Sequence, residues 1–543
     1  MKTMIRELFI DPPLAIARLG SSSIPQDAYS WIASPAPRSD ESTSIVPDWS
    51  LAVQLDGTVE PFLPPHLTFR DGPMIRPVCP FFEIWARIGS SLSLRKDWTE
   101  VPLTPALLAQ TGATVADLSL KIDAKNFKAA RRTGNANLKY GTFPPVFVRG
   151  DVHIPMALLA SSPNGVSQPM IPVDQPIPLG FVQILKSRAR LDPSDARASL
   201  VDVERLRFRF TPAHGLVYGV PAAAKPSETP RRSHAVPVEE SRAFLNPLAG
   251  WAGASANNLV EPSDTYDGAD VGADTSLGVI DDTCEVRFEL QLAPRGGAPS
   301  LTASAHAFVG PPDFAPDRRP FLSLADELND RGSGSEARTH GMSGRDKDQW
   351  IQDLFERVFE TTSLFNVDYY RSIGAAKLSG KDLAKHPVRD DRLPFPSRAM
   401  GGRDMLRKKK KDEQPIEAPN RDMPLPLSQR AVSRHRELSD LSGLREFIEA
   451  HPGRIKELVR RPFDIQPGEN TDVSTMRMPP FMRNSNAEPL TLSAWQYSLL
   501  MDWVDEQESR PKSRKPKATQ FATAAKARRD QVLARARRVA DKP

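Results

Sequence analysis

Cysteine is almost absent from this chain, with two residues, Cys79 and Cys284, in 543. Two thiols cannot make a disulfide framework, so the expected setting is a reducing compartment, the cytoplasm. Long hydrophobic runs are missing too. No stretch approaches the ~18 apolar residues that a membrane-crossing helix needs. The opening does not read as a secretory leader, because the apolar run after Met1 to Arg6 is broken by Asp11, Pro12 and Pro13. The nine histidines are dispersed, with no His-x-x-x-His or Cys/His cluster, so no metal site is expected. There is no Gly-x-Ser-x-Gly elbow. Gly-Ser-Gly-Ser at 332–335 lacks the lysine and strand context of a phosphate-cradling loop and reads as a linker. No internal repeat of fixed period is visible.

The composition is that of a folded chain. Hydrophobic residues make up 39% and charged residues 26%, enough apolar surface for a buried core with polar loops around it. The length suits several domains of ordinary size. The 52 prolines are spread along the chain, which argues for long connections and edge strands and against a bundle. The net charge of +5 comes from one end. Residues 509–543 hold twelve Lys/Arg against two Asp/Glu, which leaves 60 basic and 65 acidic residues in the remainder. The body is mildly acidic and the tail basic, so the whole-chain charge is no argument for nucleic-acid binding. The tail itself is expected either to contact an acidic partner, nucleic acid or an anionic surface, or to be a solvated extension.

Period-two alternation dominates the first part. Residues 5–19 read as a strand, the Pro12-Pro13 break and a second short strand, and residues 20–50 as loop. Val53 to Leu55 followed by Asp56-Gly57 predicts a hairpin with a two-residue turn. Val146–Val148 and Phe181–Leu185 read as short strands. Between 205 and 210, Arg205, Arg207 and Arg209 alternate with Leu206, Phe208 and Phe210, predicting a half-buried strand with a cationic outer face. Residues 285–292 and 301–309 alternate on either side of a Gly/Pro turn and predict an antiparallel hairpin, ended by Pro311-Pro312. Residues 220–275 lose apolar density and read as an extended loop.

Helical spacing takes over after about residue 320. Trp350, Ile351, Leu354, Phe355, Val358 and Phe359 predict an amphipathic helix. Residues 401–430 read as a linker, and two short helices are expected around 444–448 and 455–459. Ser493 and Gln496 form a capping box, with Leu492 placed to staple onto Tyr497, so a helix is expected to start there and bury Leu499, Leu500, Trp503 and Val504. The expected fold class is therefore α+β: a β-rich N-terminal part with antiparallel sheets at 1–320, a mainly helical C-terminal part at 340–505, and a basic tail at 509–543.

Three stretches, in order, carry a family resemblance. The first is Phe9-Ile10-Asp11-Pro12-Pro13-Leu14-Ala15-Ile16-Ala17-Arg18-Leu19-Gly20-Ser21. The second runs from Asp281-Asp282-Thr283-Cys284 through the hairpin to Gly310-Pro311-Pro312-Asp313-Phe314-Ala315-Pro316-Asp317. The third is Met478-Pro479-Pro480, then Leu490-Thr491-Leu492-Ser493, Gln496-Tyr497, Leu499-Leu500 and Trp503. Together they resemble the L-lysine 6-oxidase/glycine oxidase family, over about residues 5–505. The resemblance implies oxidative deamination of a small amino-acid substrate by oxygen. It also implies a protein-derived cysteine tryptophylquinone, made by cross-linking a tryptophan to a cysteine, and a flavoprotein partner for its maturation.

The chemistry implied by the resemblance would use Trp503 as the quinone precursor, Cys284 as the thiol, and Asp281 and Asp282 as nearby acids. Both cysteines lie in the N-terminal half, and none lies upstream of Trp503 in the C-terminal half. Each residue also has a plainer reading: Trp503 as core of an amphipathic helix, Cys284 and Cys79 as buried inert thiols, and Asp281 and Asp282 as turn-capping residues. Arg70 and Arg76, in a patch with Asp71 and Glu83, read either as a bidentate site for a substrate carboxylate or as members of an ion-pair network. Two functions are therefore carried forward, an amino-acid oxidase and a non-catalytic binding or scaffold relative that kept the fold.

Overall fold

The structure is a computed structural model. It describes residues 4–32, 44–90, 94–188, 202–221, 238–252, 278–293 and 300–313, scattered positions between 316 and 330, and then 342–362, 451–462 and 491–509. The expected linker at 401–430, the short helix at 444–448, most of the loop at 220–275 and the tail from 510 onward lie outside the described residues. The fold class is α+β, with strand-rich sheets in the N-terminal part and helices toward the C-terminus. The chain divides into two compact units: Met1–Tyr29, Pro47–Asp264 and Gly272–Phe314 form the first, and Ser30–Val46, Thr265–Val271 and Ala315–Pro543 the second. Among the described residues, no helix is long and apolar enough to cross a membrane.

Two six-stranded sheets make the first unit. One runs β1 (Met4–Asp11), β9 (Phe81–Gly89), β16 (Arg207–Pro212), β15 (Ile177–Ile184), β14 (Met156–Ala160), with β10 (Thr99–Pro102) also on β9. The other runs β12 (Tyr140–Gly141), β11 (Leu118–Asn126), β19 (Glu285–Leu292), β20 (Leu301–Gly310), β2 (Leu14–Arg18), with β13 (Val146–Arg149) also on β11. Two-stranded ribbons complete the unit's strand set: β5 (Ser50–Val53) with β6 (Val59–Phe62), β7 (Arg70–Asp71) with β8 (Met74–Ile75), and β17 (Val217–Gly219) with β18 (Val279–Asp281), while the ribbon of β3 (Tyr29–Ile32) with β4 (Ser44–Pro47) falls mostly in the second unit. Short helices α1 (Pro105–Thr111) and α2 (Lys128–Thr133) join strands.

Alternation explains the second sheet directly. Leu118, Leu120, Ile122 and Ala124 of β11 stand opposite Leu292, Leu290, Phe288 and Val286 of β19, all buried. Their neighbours face outward, and there Lys121 meets Glu289 at 2.7 Å. On β20 the residues opposite Leu290, Phe288 and Val286 are Ala303, Ala305 and Ala307, small partners beside large ones. The predicted hairpin is the β19–β20 pair, and β2 adds to it in parallel. In the first sheet Phe82 of β9 and Phe208 of β16 point inward and stack at 4.9 Å between centroids. Phe288 from the other sheet meets both rings at 5.0 Å. These three rings join the sheets face to face.

The structure corrects three expectations. The β5–β6 hairpin closes with three residues, Leu55, Asp56 and Gly57, not two. Gln54 N–H donates to Thr58 O (2.9 Å) and Gly57 N–H to Gln54 O (3.0 Å). Gly57 takes φ of 84°, the left-handed position that ends a three-residue hairpin loop. The arginine face of β16 is not a solvent face either. Arg207 and Arg209 are 7% and 9% exposed, with Glu83 and Gln183 opposite them on the neighbouring strands. The loop expected at 20–50 also holds the two short strands β3 and β4.

In the second unit, α3 (Gly344–Thr362), α4 (Ile455–Leu458) and α5 (Ala494–Ser509) share a core of Ile351, Leu354, Phe355, Val358, Ile455, Val459, Leu500, Trp503 and Val504. The capping box forms as the sequence implies: Gln496 Oε1 accepts from Ser493 N–H (3.1 Å) and Ser493 Oγ from Gln496 N–H (3.4 Å).

The three-ring contact gives the first testable expectation. Phe288→Ala removes the one aromatic that reaches both Phe82 and Phe208 and leaves a cavity between the sheets. The unfolding free energy should fall by about 3–5 kcal/mol, read from the urea midpoint. A loss under about 1 kcal/mol would mean that the sheets are not held there.

Candidate functional site

The turn between β18 and β19 gathers several ionisable groups in a buried setting. β18 pairs with β17, putting Val217 opposite Asp281 and Tyr218 opposite Ile280. The chain then turns through Asp282 and Thr283 and enters β19.

Asp281 organises the turn. Its Oδ1 accepts from Thr283 Oγ1 (2.6 Å), Thr283 N–H (3.2 Å) and Asn126 Nδ2 (3.2 Å), the pattern of an Asx turn. Its carbonyl accepts from Tyr140 Oη at 2.7 Å. Lys128 Nζ stands 3.8 Å from Oδ2. Asn126 ties the same turn to β11 by a second bond, from Nδ2 to Thr283 O (2.9 Å).

Asp282 is 1% exposed. Its Oδ2 accepts two backbone N–H groups, from Leu216 (2.8 Å) and Gly215 (3.0 Å). Its Oδ1 is fully enclosed and has no hydrogen-bond partner. Burial pushes its pKa up to about 6, with the negative charge of Asp281 adding to it, while the two backbone donors pull the other way. Tyr218 lies close enough to feel that carboxyl, and burial and Asp282 raise its hydroxyl. The Tyr140 hydroxyl is pushed well above its ordinary range, first by burial and then by Asp281.

Cys284 is 4% exposed and its Sγ lies 3.8 Å from Leu179 O, a weak thiol donation. Burial pushes the thiol up strongly, and the charges of Asp282 and Asp281 reinforce that, so the sulfur carries its proton at neutral pH. Cys79 is 8% exposed, with burial raising it to about 11 against the pull of Arg209. The turn thus offers an acid that can hold a proton near neutrality, Asp282, beside a thiol that is a poor nucleophile.

Trp503 sits in the second unit. It is 4% exposed on the apolar face of α5, and its Nε1 donates to Asp348 Oδ1 of α3 at 2.7 Å. Gln507 Nε2 donates to the same oxygen at 3.0 Å. The resemblance would pair this indole with the Cys284 sulfur. The sulfur is packed into the core of the first unit and the indole into the core of the second, each with its polar hydrogen committed there.

Of the two arginines expected to take a substrate carboxylate, Arg76 is already neutralised: its Nη1 meets Asp27 Oδ2 at 2.6 Å and Thr68 O at 3.3 Å. Arg70 lies exposed on the β7–β8 ribbon and donates to Pro73 O at 3.3 Å. The structure brings Asp281, Asp282 and Cys284 together and adds Asn126, Tyr140 and Tyr218, which the sequence analysis did not select. No local pattern marks those three. Asn126 ends β11, Tyr140 opens the two-residue β12, and both reach the turn only through long-range pairing. Among the described residues, no three His, Cys, Asp or Glu side chains are gathered as metal ligands. No family model matches the chain, and no curated protein matches its sequence.

The titration of Asp282 is measurable. An acid raised from about 3.9 in the unfolded chain to about 6 when folded lets the folded chain hold the extra proton between those values. Its contribution to stability is full below about pH 4 and is lost as pH rises through about 6. Asp282→Asn removes that titration. The stability of wild type relative to this variant should therefore fall by roughly 3 kcal/mol between pH 4 and pH 7 and stay level above. Denaturant titrations at several pH values read it, and a difference constant with pH would refute the assignment.

Proposed function

We propose that this chain is a non-catalytic binding or scaffold protein, a relative of the quinone-dependent amino-acid oxidases that keeps their sequence landmarks and not their cofactor. The supporting observation is the state of Cys284: enclosed, directed at a backbone carbonyl, and held in its protonated form by burial beside two carboxyls. A sulfur destined for an indole thioether has to reach the ring as a nucleophile, and a thiol whose ionisation is this strongly opposed is a poor one. Trp503 supports the same reading, because its indole N–H holds two helices together through Asp348. On this reading the chain releases no peroxide from amino acids and needs no flavoprotein partner to mature.

Thiol counting tests the proposal. Both cysteines should resist alkylation in the folded protein at pH 8, and after unfolding the protein should take up two labels on an otherwise unmodified mass. A cross-linked protein would take up one, and its intact mass would be higher by two oxygen atoms less the hydrogens lost. One label with that mass, together with peroxide release on adding amino acids, would establish the oxidase instead.

A further inference from the structure

Arg209, on the outer face of the first sheet, has no anion beside it among the described residues. Arg205, just before β16, and Arg207 and Arg209 on it, share that face with Glu83 of β9. Glu83 accepts from Arg205 Nη1 (2.7 Å) and Arg207 Nε (2.9 Å), and Asp202 accepts from Arg205 Nε (2.9 Å). The anions are used up at that point, one rung short of Arg209. The residues opposite Arg209 on the neighbouring strands are Phe81 and Gln183. Gln183 donates its amide to three backbone carbonyls, those of Gln54, Leu55 and His153.

Arg209 is nevertheless 9% exposed. Its Nε is fully enclosed without a hydrogen-bond partner, and the hydroxyl of Thr211, two residues along on the same face, is enclosed beside the Cys79 thiol. Cys79 is the one ionisable group that acts on this guanidinium, and desolvation disfavours its charge. An unpaired cation buried to this degree is expensive, and natural proteins pair such charges. Arginine does not escape by shedding its proton.

We propose that Arg209 and Thr211 form a receptor for a small monoanion, a carboxylate, bound on the covered outer face of the first sheet. The guanidinium presents a planar fork of donors that matches a carboxylate edge. The Thr211 hydroxyl adds a donor beside it. One uncompensated positive charge calls for one negative charge. A dianion such as sulfate would leave a second charge unpaired in a poorly solvated place. The residual exposure of Arg209 is the opening to solvent. This site is separate from the Asp281–Cys284 turn and does not depend on the loss of the quinone.

The test is the thermal midpoint of the full chain against acetate concentration, at fixed ionic strength with a bulky sulfonate as the other anion. A ligand that binds the folded state raises the midpoint with concentration. Wild type should respond, Thr211→Val should respond less, and Arg209→Met should not respond. In acetate-free buffer Arg209→Met should melt at or above wild type, because it removes the unpaired cation and keeps most of the side-chain volume. Sulfate should produce a smaller rise than acetate. An acetate-independent midpoint in wild type overturns the proposal, as does the same acetate response in Arg209→Met. Should Arg209→Met fail to fold, Thr211→Val decides: a response equal to that of wild type overturns it.

Discussion

The first unit depends on one contact, the meeting of Phe288 with Phe82 and Phe208. Those rings come from the two six-stranded sheets and lie within 5.0 Å of one another. A sheet buries one face and must find something to bury it against. Here that partner is the other sheet, and the aromatic cluster fixes which rungs face each other. Phe288 in place sets Cys284 and Asp282 four and six residues back along the chain. Phe208 in place sets the outward direction of Arg207 and Arg209. Both charged features of the unit are therefore consequences of how the apolar faces meet.

The turn before β19 shows how such a constraint produces unusual chemistry. β19 starts inside the core, so alternate residues leading into it, Asp282 and Cys284, are buried whatever their character. Asp281 is satisfied by Thr283 and Asn126 and becomes structural. Asp282 receives two backbone donors on one oxygen and nothing on the other, and burial lifts its pKa to about 6. Carboxyls one residue apart thus separate into a turn organiser and a proton holder, purely by environment.

Local patterns were legible and long-range ones were not. The alternation of Val286, Phe288, Leu290 and Leu292 marked the β19 strand and its inward face, and Ser493 with Gln496 marked the start of α5, because each signal is complete within a few residues. The hairpin at Asp56-Gly57 was legible, but its loop length was not, since one residue more or less leaves the same composition. The alternating arginines gave the strand but not their burial, which depends on what covers the sheet's outer face, such as Gln183 and the backbone it holds. In the candidate site, Asp281, Asp282 and Cys284 were legible as neighbours in sequence. Asn126, Tyr140 and Tyr218 were not, because the pairing of β11, β12 and β17 brings them in.

Asp282 and Arg209 pose the same electrostatic problem with opposite signs. Each is a charged side chain that packing has taken out of water, and each has a buried polar atom without a partner. The carboxyl has an internal remedy. Its ordinary pKa lies only a few units below neutral, so burial can lift it to about 6 and let a proton remove the charge in mildly acidic solution. The guanidinium has no such remedy, because burial disfavours its charge but leaves the cation as the form present at any physiological pH. Its charge must be met from outside the side chain. Neither strand neighbour supplies a carboxylate, and Glu83 is held by two other arginines. A buried acid can thus be a quiet structural element, whereas a buried, unpaired arginine in a stable fold points to a ligand.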